Sequence, residues 1–399
     1  MATISQDDTG RYRRRMVGEL RRGGWLRSPA WIDAFQAVPR HAFVPRFFIP
    51  TDTGHWAAVC AQDRGWAERA YTLGSLVTQL GGDESYWGRA RDAPLRGTPT
   101  SSSSDPRLMA TMLEALDVRD GHTVLEIGTG AGYNAGLISH RIGSRNVTSV
   151  EVDAGLARTA RQRLAECGYH PTIVTSDGTN GVPEASPYDR IIATVAAPTV
   201  PAAWVEQTRI GGLILLNPYT ELGSGPLVLL TVTDRGRAEG RFLPSYGAFM
   251  PFRAHQPARS DQERLSDALR SADGRRTATE VPVDVLHQID AGMLIGLLVP
   301  HVAWIGFTPE GGRSQLWLLG DDGSWAVRDD DGVEQRGERR IWDEIAAAYG
   351  LWQQLGSPGR ERFGLTVTVD GKQTIWLDGP DRTVAPLALD SRFGTCGGG

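Results

Sequence analysis

The apolar residues keep a helical spacing only in places, and those places alternate with short apolar runs. Leu108, Met109, Met112, Leu113 and Leu116 share one face, behind Pro106 in the first turn and Ser104 or Asp105 as the cap, which predicts a helix packed on a sheet. Beyond it the chain reads as strand Thr123–Ile127, helix Tyr133–Ile142, strand Asn146–Val152 and helix Ala154–Glu166. Strands then fall at Thr172–Thr175, Arg190–Val195, Leu213–Leu216 and Leu227–Val232, with a helix near Pro201–Thr208. Strands alternating with crossover helices predict a parallel α/β sheet. Arg241–Phe252 reads as a last strand, reached through the turn at Asp234–Gly240.

The flanks differ. Residues 12–50 look helical and then turn-rich around Pro39, Pro45 and Pro50, while residues 51–100 show no clear period and predict no element. Residues 255–280 hold few large apolar side chains and read as a linker with an embedded helix. Residues 281–399 carry six of the 12 tryptophans, Trp304, Trp317, Trp325, Trp342, Trp352 and Trp376, which predict a second core. LWLLGDDGSWAV and LTVTVDGKQTIWL each present strand, Asp-Gly turn and strand, and between them Ile341, Ile345, Ala348 and Trp352 recur at helical spacing. The predicted fold is α/β, a Rossmann-like sheet with flanking helices, plus a smaller α+β C-terminal domain. Its expected parts are a first domain, 1–254 (helical segment 1–100, core 101–254), the linker 255–280 and an accessory domain 281–399 ending in a disordered FGTCGGG tail.

Composition narrows the class. A chain of 399 residues, 40% hydrophobic, can bury more than one core. No run reaches the ~18 apolar residues of a membrane span, and the polar N-terminus has no targeting core, so a cytoplasmic protein is expected. Cys60, Cys167 and Cys396 have no metal-type spacing, which predicts free thiols and no metal. The formal charge of -5 argues against binding a nucleic-acid backbone. The six arginines between Arg11 and Gly24 are either a solvated helix face around Met16, Val17 and Leu20 or a patch for an acidic peptide.

The chemistry centres on VLEIGTGAGYNAG, Val124–Gly136. A dinucleotide fingerprint places its third glycine where Tyr133 stands, and no Lys-Ser or Lys-Thr follows to make a phosphate loop. Glu126, two residues before Gly128, would repel a phosphate and suits a cation. Glu151 ends the next strand 23 positions after Gly128, where a carboxylate accepts both hydroxyls of a ribose, and Asp177 ends the third, placed to accept from an adenine amine. Ribose, adenine and a positive charge without phosphate describe S-adenosylmethionine. Its sulfonium end would lie over Gly128, Thr129, Gly130 and Gly132, near Glu126, with Val152 and Gly178 beside the two strand-end acids. Thr194 either lines the sulfonium side or packs within its strand, and Tyr133 either shapes the methionine pocket or packs.

VPRHAFVP, SDPRLMATMLEAL, VLEIGTGAGYNAG, SVEVD, SDGTNG, YDRIIATVAAPTVP, GGLILLNP and AFMPF stand in an order and spacing that resemble the protein-L-isoaspartate O-methyltransferases, over roughly residues 12–253. The resemblance implies a class I S-adenosylmethionine methyltransferase sheet and methylation of a damaged aspartyl carboxylate, whose ester closes to a succinimide. It places Ser103, Arg107, Ala196 and Phe252 on the acceptor side, with Arg107 where the family carries an aromatic or histidine. Repair enzymes of the family are expected to end near AFMPF, and RFGLTVTVDGKQTIWLDGP resembles the extension of actinobacterial relatives encoded with lanthipeptides and graspetides. That resemblance implies a modified precursor peptide as partner, its aspartate methylated and then closed to aspartimide, by an enzyme favoured as a monomer. General repair of isoaspartate is the alternative. A carboxylate is ionised at neutral pH, so no general base is needed, and His41 is expected to bond locally. Ser104 is expected to orient the acceptor carboxylate from the helix N-terminus, the alternative being that it only caps the helix.

Overall fold

The computed structural model describes residues 6–222, 225–253, 259–271, 274–308 and 314–387. They form two compact units: the first holds the residues up to Val195 with 203–216 and 231–236, the second holds 196–202, 217–230 and those from 237 onward.

The first unit opens with helices α1 (Gln6–Arg22), α2 (Pro29–Ala37) and α3 (Arg40–Phe43). Met16, Val17 and Leu20 are buried, while Arg11, Arg14, Arg15, Arg21 and Arg22 of α1 are exposed, the solvated-face reading of that segment. Next come β1 (Arg46–Pro50), β2 (Trp56–Cys60), α4 (Trp66–Ala70), β3 (Leu76–Leu80), α5 (Ser85–Asp92) and β4 (Pro99–Ser103). The strands form an antiparallel sheet ordered β2-β1-β3-β4, over a small core of Phe48, Ala58, Val77, Leu80 and Ala90. This sheet corrects the helical segment expected over 1–100 and the turn-rich reading of the run to Pro50, because five-residue strands alternate too briefly to declare a period.

The expected alternation follows: α6 (Pro106–Ala115), β5 (Val124–Ile127), α7 (Tyr133–Ile142), β6 (Val147–Glu151), α8 (Ala154–Glu166), β7 (Thr172–Thr175), β8 (Tyr188–Ala197), α9 (Ala202–Glu206), β9 (Thr208–Pro218) and β10 (Pro226–Asp234). β5 runs parallel to both β6 and β8, and β6 parallel to β7. Every residue of β5 and β6 is buried, as expected of strands covered on both faces. β8 and β9 outrun the predicted Arg190–Val195 and Leu213–Leu216, because ladder hydrogen bonds extend past the apolar run that marks a strand in sequence.

The second unit continues with β11 (Arg237–Tyr246), α10 (Asp261–Arg270), β12 (Arg275–Thr277), α11 (Ile289–Leu298), β13 (Val302–Phe307), β14 (Gln315–Gly320), β15 (Trp325–Asp329), β16 (Gly332–Arg336), α12 (Ile341–Gln354), β17 (Phe363–Thr368), β18 (Gln373–Leu377) and β19 (Thr383–Pro386). A sheet ordered β12-β16-β15-β14-β13 packs with α11 and α12 around Ile295, Val302, Leu318, Ile341, Trp342 and Ile345. Both Asp-Gly hairpins form, with Leu319 opposite Trp325 and Val367 opposite Gln373. The second hairpin joins a different sheet. β17 pairs antiparallel with β11, so backbone partners lie on both sides of the boundary expected at residue 254. An unpaired hairpin edge must find a strand, and the sequence signals the turn without saying which strand completes the edge. The last strand predicted at Arg241–Phe252 ends at Tyr246; Pro251 instead makes an isolated parallel bridge with Ala196. Within the expected linker, α10 starts at a capping box of Ser260 and Glu263. The FGTCGGG tail and Cys396 lie outside the described residues. No helix among the described residues is long and apolar enough to cross a membrane.

Candidate active site

The turn after β5 is built from three glycines with positive φ: Gly128 (94°), Gly130 (51°) and Gly132 (90°). At Gly128 the requirement is also spatial, since a Cβ there would sit 2.7 Å from Val195 Cγ1. Thr194, on neighbouring β8, fastens the turn by donating from Oγ1 to Gly128 O (2.7 Å) and Ile127 O (3.1 Å). Its hydroxyl hydrogen is thus spent on the turn, in keeping with the strand-packed alternative, while the side chain stays half-exposed. Thr129 likewise turns inward, its Oγ1 2.6 Å from Ser149 Oγ.

Glu126 does not present its charge to a ligand as the sequence suggested. Its carboxyl is fully buried, with Oε1 accepting from Asn134 Nδ2 (2.7 Å) and Oε2 from Ser149 Oγ (2.6 Å), so it braces β5, β6 and α7 beneath the turn. Burial pushes its pKa up to about 7, against the lowering effect of those two hydrogen bonds and with a further rise from the Glu151 charge. Tyr133 is also packed, edge-on to Phe35 and against Phe43, with its hydroxyl buried and without a partner.

Glu151 and Asp177 stand where the sequence placed them, at the ends of β6 and β7. Glu151 Oε2 accepts from Gly130 N (2.8 Å) and Oε1 from Asp153 N (3.1 Å). Each oxygen keeps a lone pair, enough for the two hydroxyls of a ribose. Val152 beside it is 50% exposed, an apolar surface suited to a purine face. Asp177 is exposed and accepts from Thr179 N (2.9 Å), and Gly178 O accepts from Trp204 Nε1 (2.9 Å). The glycine turn, the braced carboxylate and the apolar shelf fit S-adenosylmethionine: Gly128–Gly132 would border its sulfonium end, Glu151 its ribose, and Val152 with Asp177 its adenine.

The acceptor side is formed by β4 and the chain leading into α6. A Cβ on Gly130 would lie 3.5 Å from Ser102 O and 3.8 Å from Ser101 Oγ, so the serine strand runs beside the glycine turn. Asp105, not Ser104, caps α6, accepting from Arg107 N at 2.7 Å. That removes the alternative in which Ser104 serves only as the cap. Ser103 points inward, 3% exposed, with its hydroxyl accepting from Arg40 Nε at 3.4 Å, so it is not a side-chain contact for an acceptor. Arg107 is exposed, paired with Asp105 at 2.5 Å and set over the Trp25 ring, away from the role its position suggested. Ala196 and Phe252, in the second unit, bond to each other, Phe252 N donating to Ala196 O at 3.1 Å, and both are buried.

Arg40 was missed as a functional residue. Its guanidinium is wholly buried and donates to Ala70 O, Thr72 O, Gly74 O, Ser103 O and Ser104 O at 2.9–3.3 Å, tying residues 70–74 to the serine strand. Burial lowers its pKa to about 10, which leaves it charged at neutral pH. Its available signal was an arginine set in the apolar, proline-framed run VPRHAFVP. Next to it, His41 bonds Tyr71 Oη (2.7 Å) as expected, and burial pushes its pKa down to about 4, keeping it neutral.

A family model described as protein-L-isoaspartate(D-aspartate) O-methyltransferase matches residues 85–238. A protein-L-isoaspartate O-methyltransferase of Ignicoccus hospitalis is 38% identical over 162 residues, covering 40% of this chain and 76% of that one. The enzyme of that name from Methanopyrus kandleri is 32% identical over 243 residues, covering 60% and 91%. The chain belongs to the protein-L-isoaspartate O-methyltransferase family. It is thus an S-adenosylmethionine-dependent carboxyl methyltransferase of the class I fold. A solved structure named protein-L-isoaspartate O-methyltransferase matches with a TM-score of 0.52 at 23% identity, covering 92% of this chain and 100% of its own. That solved chain shares the fold over most of this chain, whereas the Ignicoccus and Methanopyrus relatives, of which the matched 162 and 243 residues make up 76% and 91%, are much shorter than this chain, as expected.

In the second unit Glu221, His301 and Asp321 come within reach of one another. Arg264 lies among them, 2.8 Å from Glu221 and 2.5 Å from Asp321, so the carboxylates already face a cation.

Proposed function

We propose that this methyltransferase acts on the free carboxylate of an L-isoaspartyl residue in a peptide or protein. The observation that carries the reading is the serine run whose Ser101 and Ser102 lie against the glycine turn, with the buried Arg40 cation holding the carbonyls of Ser103 and Ser104. Among the described residues no carboxylate forms an ion pair with Arg40, so its field favours an anion arriving at Ser104. Bound S-adenosylmethionine supplies an electrophilic methyl group on a sulfonium. The protein's own contribution is positional: Ser104 Oγ donates to the carboxylate and aims it, the α6 N-terminus favours its charge, and the packed serine strand strips its water. No side chain has to accept a proton, because a carboxylate with a pKa of about 4 arrives ionised. Neutral His41, held on Tyr71, is left out of the chemistry.

The isoaspartyl acceptor is supported by the names of relatives with 32–38% identity, and it is preferred to the lanthipeptide or graspetide aspartate. The peptide-tailoring reading keeps one support, the resemblance of residues 362–380, which form the β17–β18 hairpin paired to β11. The test offers an isoaspartyl hexapeptide, its normal aspartyl twin and a macrocyclic aspartyl peptide with labelled S-adenosylmethionine, and counts base-labile methyl ester. Transfer to the isoaspartyl peptide alone is the expected result. Transfer to the macrocycle alone would replace the reading. Ser104→Ala should lower kcat about 100- to 1,000-fold with donor affinity unchanged, as for loss of one positioned donor.

A further inference from the structure

Within the first unit, the strand that leads to Ser104 is tied to the donor side by one buried amide. Gln79 of β3 is 6% exposed, and its side chain reaches two ways. On one side Oε1 accepts from Thr100 Oγ1 of β4 (2.9 Å). On the other Nε2 donates to Asp153 Oδ2 (3.2 Å), in the turn between β6 and α8. Asp153 is held there by its second oxygen, which caps α8 by accepting from Gly155 N (2.8 Å) and Leu156 N (3.0 Å), while its own N donates to Glu151 Oε1. Glu151 Oε2 in turn accepts from Gly130 N, and Gly130 lies against Ser101 and Ser102. The circuit closes: serine strand, Gln79, Asp153, Glu151, glycine turn, and back to the serine strand. The β3–β4 pairing is irregular where the amide leaves it. Its register passes from Val77–Ser102 to Gln79–Ser101 and then to Leu80–Pro99, skipping Thr78 and Thr100. Each skipped threonine spends its hydroxyl across the strand pair, Thr78 Oγ1 donating to Ser101 Oγ (3.0 Å) and Thr100 Oγ1 to Gln79. Irregularities of this kind re-aim side chains, and here one turns Gln79 toward Asp153.

Methyl transfer depends on the alignment of two groups that are held separately. Glu151 fits the ribose of the donor, and Ser104, at the end of the serine run, is the residue proposed to aim the acceptor carboxylate. A strand shifted against the β6–α8 turn would leave each ligand bound and the reacting atoms out of line. We infer that Gln79 is a positioning residue for methyl transfer: by linking Thr100 to Asp153 it fixes the serine strand relative to the carboxylate that fits the ribose, and so sets the approach of acceptor oxygen to donor methyl. The inference rests on the methyl-acceptor function proposed above.

The experiment uses the full chain with Gln79→Met, which keeps the volume and removes both hydrogen bonds, with Thr100→Val, which removes the strand's end of the link, and with the double variant. The other partner of Thr100 Oγ1, Gly82 N, is exposed and can turn to water. Turnover is read on whichever of the three test peptides the wild-type chain accepts, so a change of acceptor class alters the peptide and not the comparison. Donor affinity is read by calorimetry with S-adenosylmethionine. Gln79→Met is expected to lower kcat about 10- to 100-fold while donor affinity and acceptor KM stay within about threefold, the mark of lost orientation rather than lost binding. Because both substitutions cut one link, the double variant should turn over within about twofold of Gln79→Met. A folded Gln79→Met whose kcat stays within about twofold of wild type overturns the inference, as does a loss carried by donor affinity or acceptor KM alone, or losses that multiply in the double variant. Should Gln79→Met fail to fold, Thr100→Val decides: an unchanged kcat overturns it. A wild-type chain that binds donor normally but methylates none of the three test peptides discards the proposed function, and the inference with it.

Discussion

Glu126 allows a quantitative test of how the donor turn is built. A carboxyl held at about 7 when folded, against about 4.5 unfolded, binds more protons in the native state between those values. Stability must then be greatest below the unfolded pKa and fall as pH rises through the folded one. Integrating that difference, the wild-type chain should lose about 2–3 kcal/mol between about pH 5 and about pH 8 from this group alone. Glu126→Gln removes the titration and little else. The amide oxygen can still accept from Asn134 Nδ2, and the new NH2 group faces Ser149 Oγ, whose hydrogen can turn to Thr129 Oγ1 2.6 Å away. His41 contributes the opposite slope, since a histidine pushed down to about 4 binds fewer protons folded and adds stability as pH rises. It is present in both proteins and cancels in their difference. Urea denaturation of wild type and Glu126→Gln at the two pH values measures that difference directly. The stability of the variant minus that of the wild type should increase as pH rises, and a difference that stays constant or decreases would refute the buried, late-titrating carboxyl.

The turn and the buried arginine give further outcomes. Gly128→Ala places a methyl 2.7 Å from Val195 Cγ1 at φ 94° and should cost more than tenfold in donor affinity by calorimetry. Gly130→Ala meets nothing closer than 3.5 Å and should lose only a few-fold, consistent with about 1 kcal/mol of left-handed strain. Equal losses in the two variants would contradict the packing described for Gly128. Arg40→Met strips donors from five buried or half-buried carbonyls and should destabilise by at least about 3 kcal/mol in urea, with Arg40→Lys intermediate. A change below about 1 kcal/mol would show that those carbonyls find other donors.

The sequence by itself determined the α/β alternation from α6 to β10. Tyr133–Ile142, Ala154–Glu166 and Thr172–Thr175 were legible to the residue, because their spacing, caps and glycine turns are local signals. Glu151 and Asp177 were legible for the same reason, as acids where strands end beside a glycine turn. The tertiary structure decided which polar side chains face a ligand and which face the protein. Glu126, Thr129, Ser103 and Thr194 all stand in the right motifs, yet each spends its side chain on backbone or side-chain partners inside the fold. Arg40 finds its carbonyl partners 30 to 64 positions away, and Gln373 bonds Val200 173 positions away. A side chain's periodicity records how its own segment is exposed, whereas hydrogen bonds between distant segments exist only once packing has excluded water and left those groups no other partner.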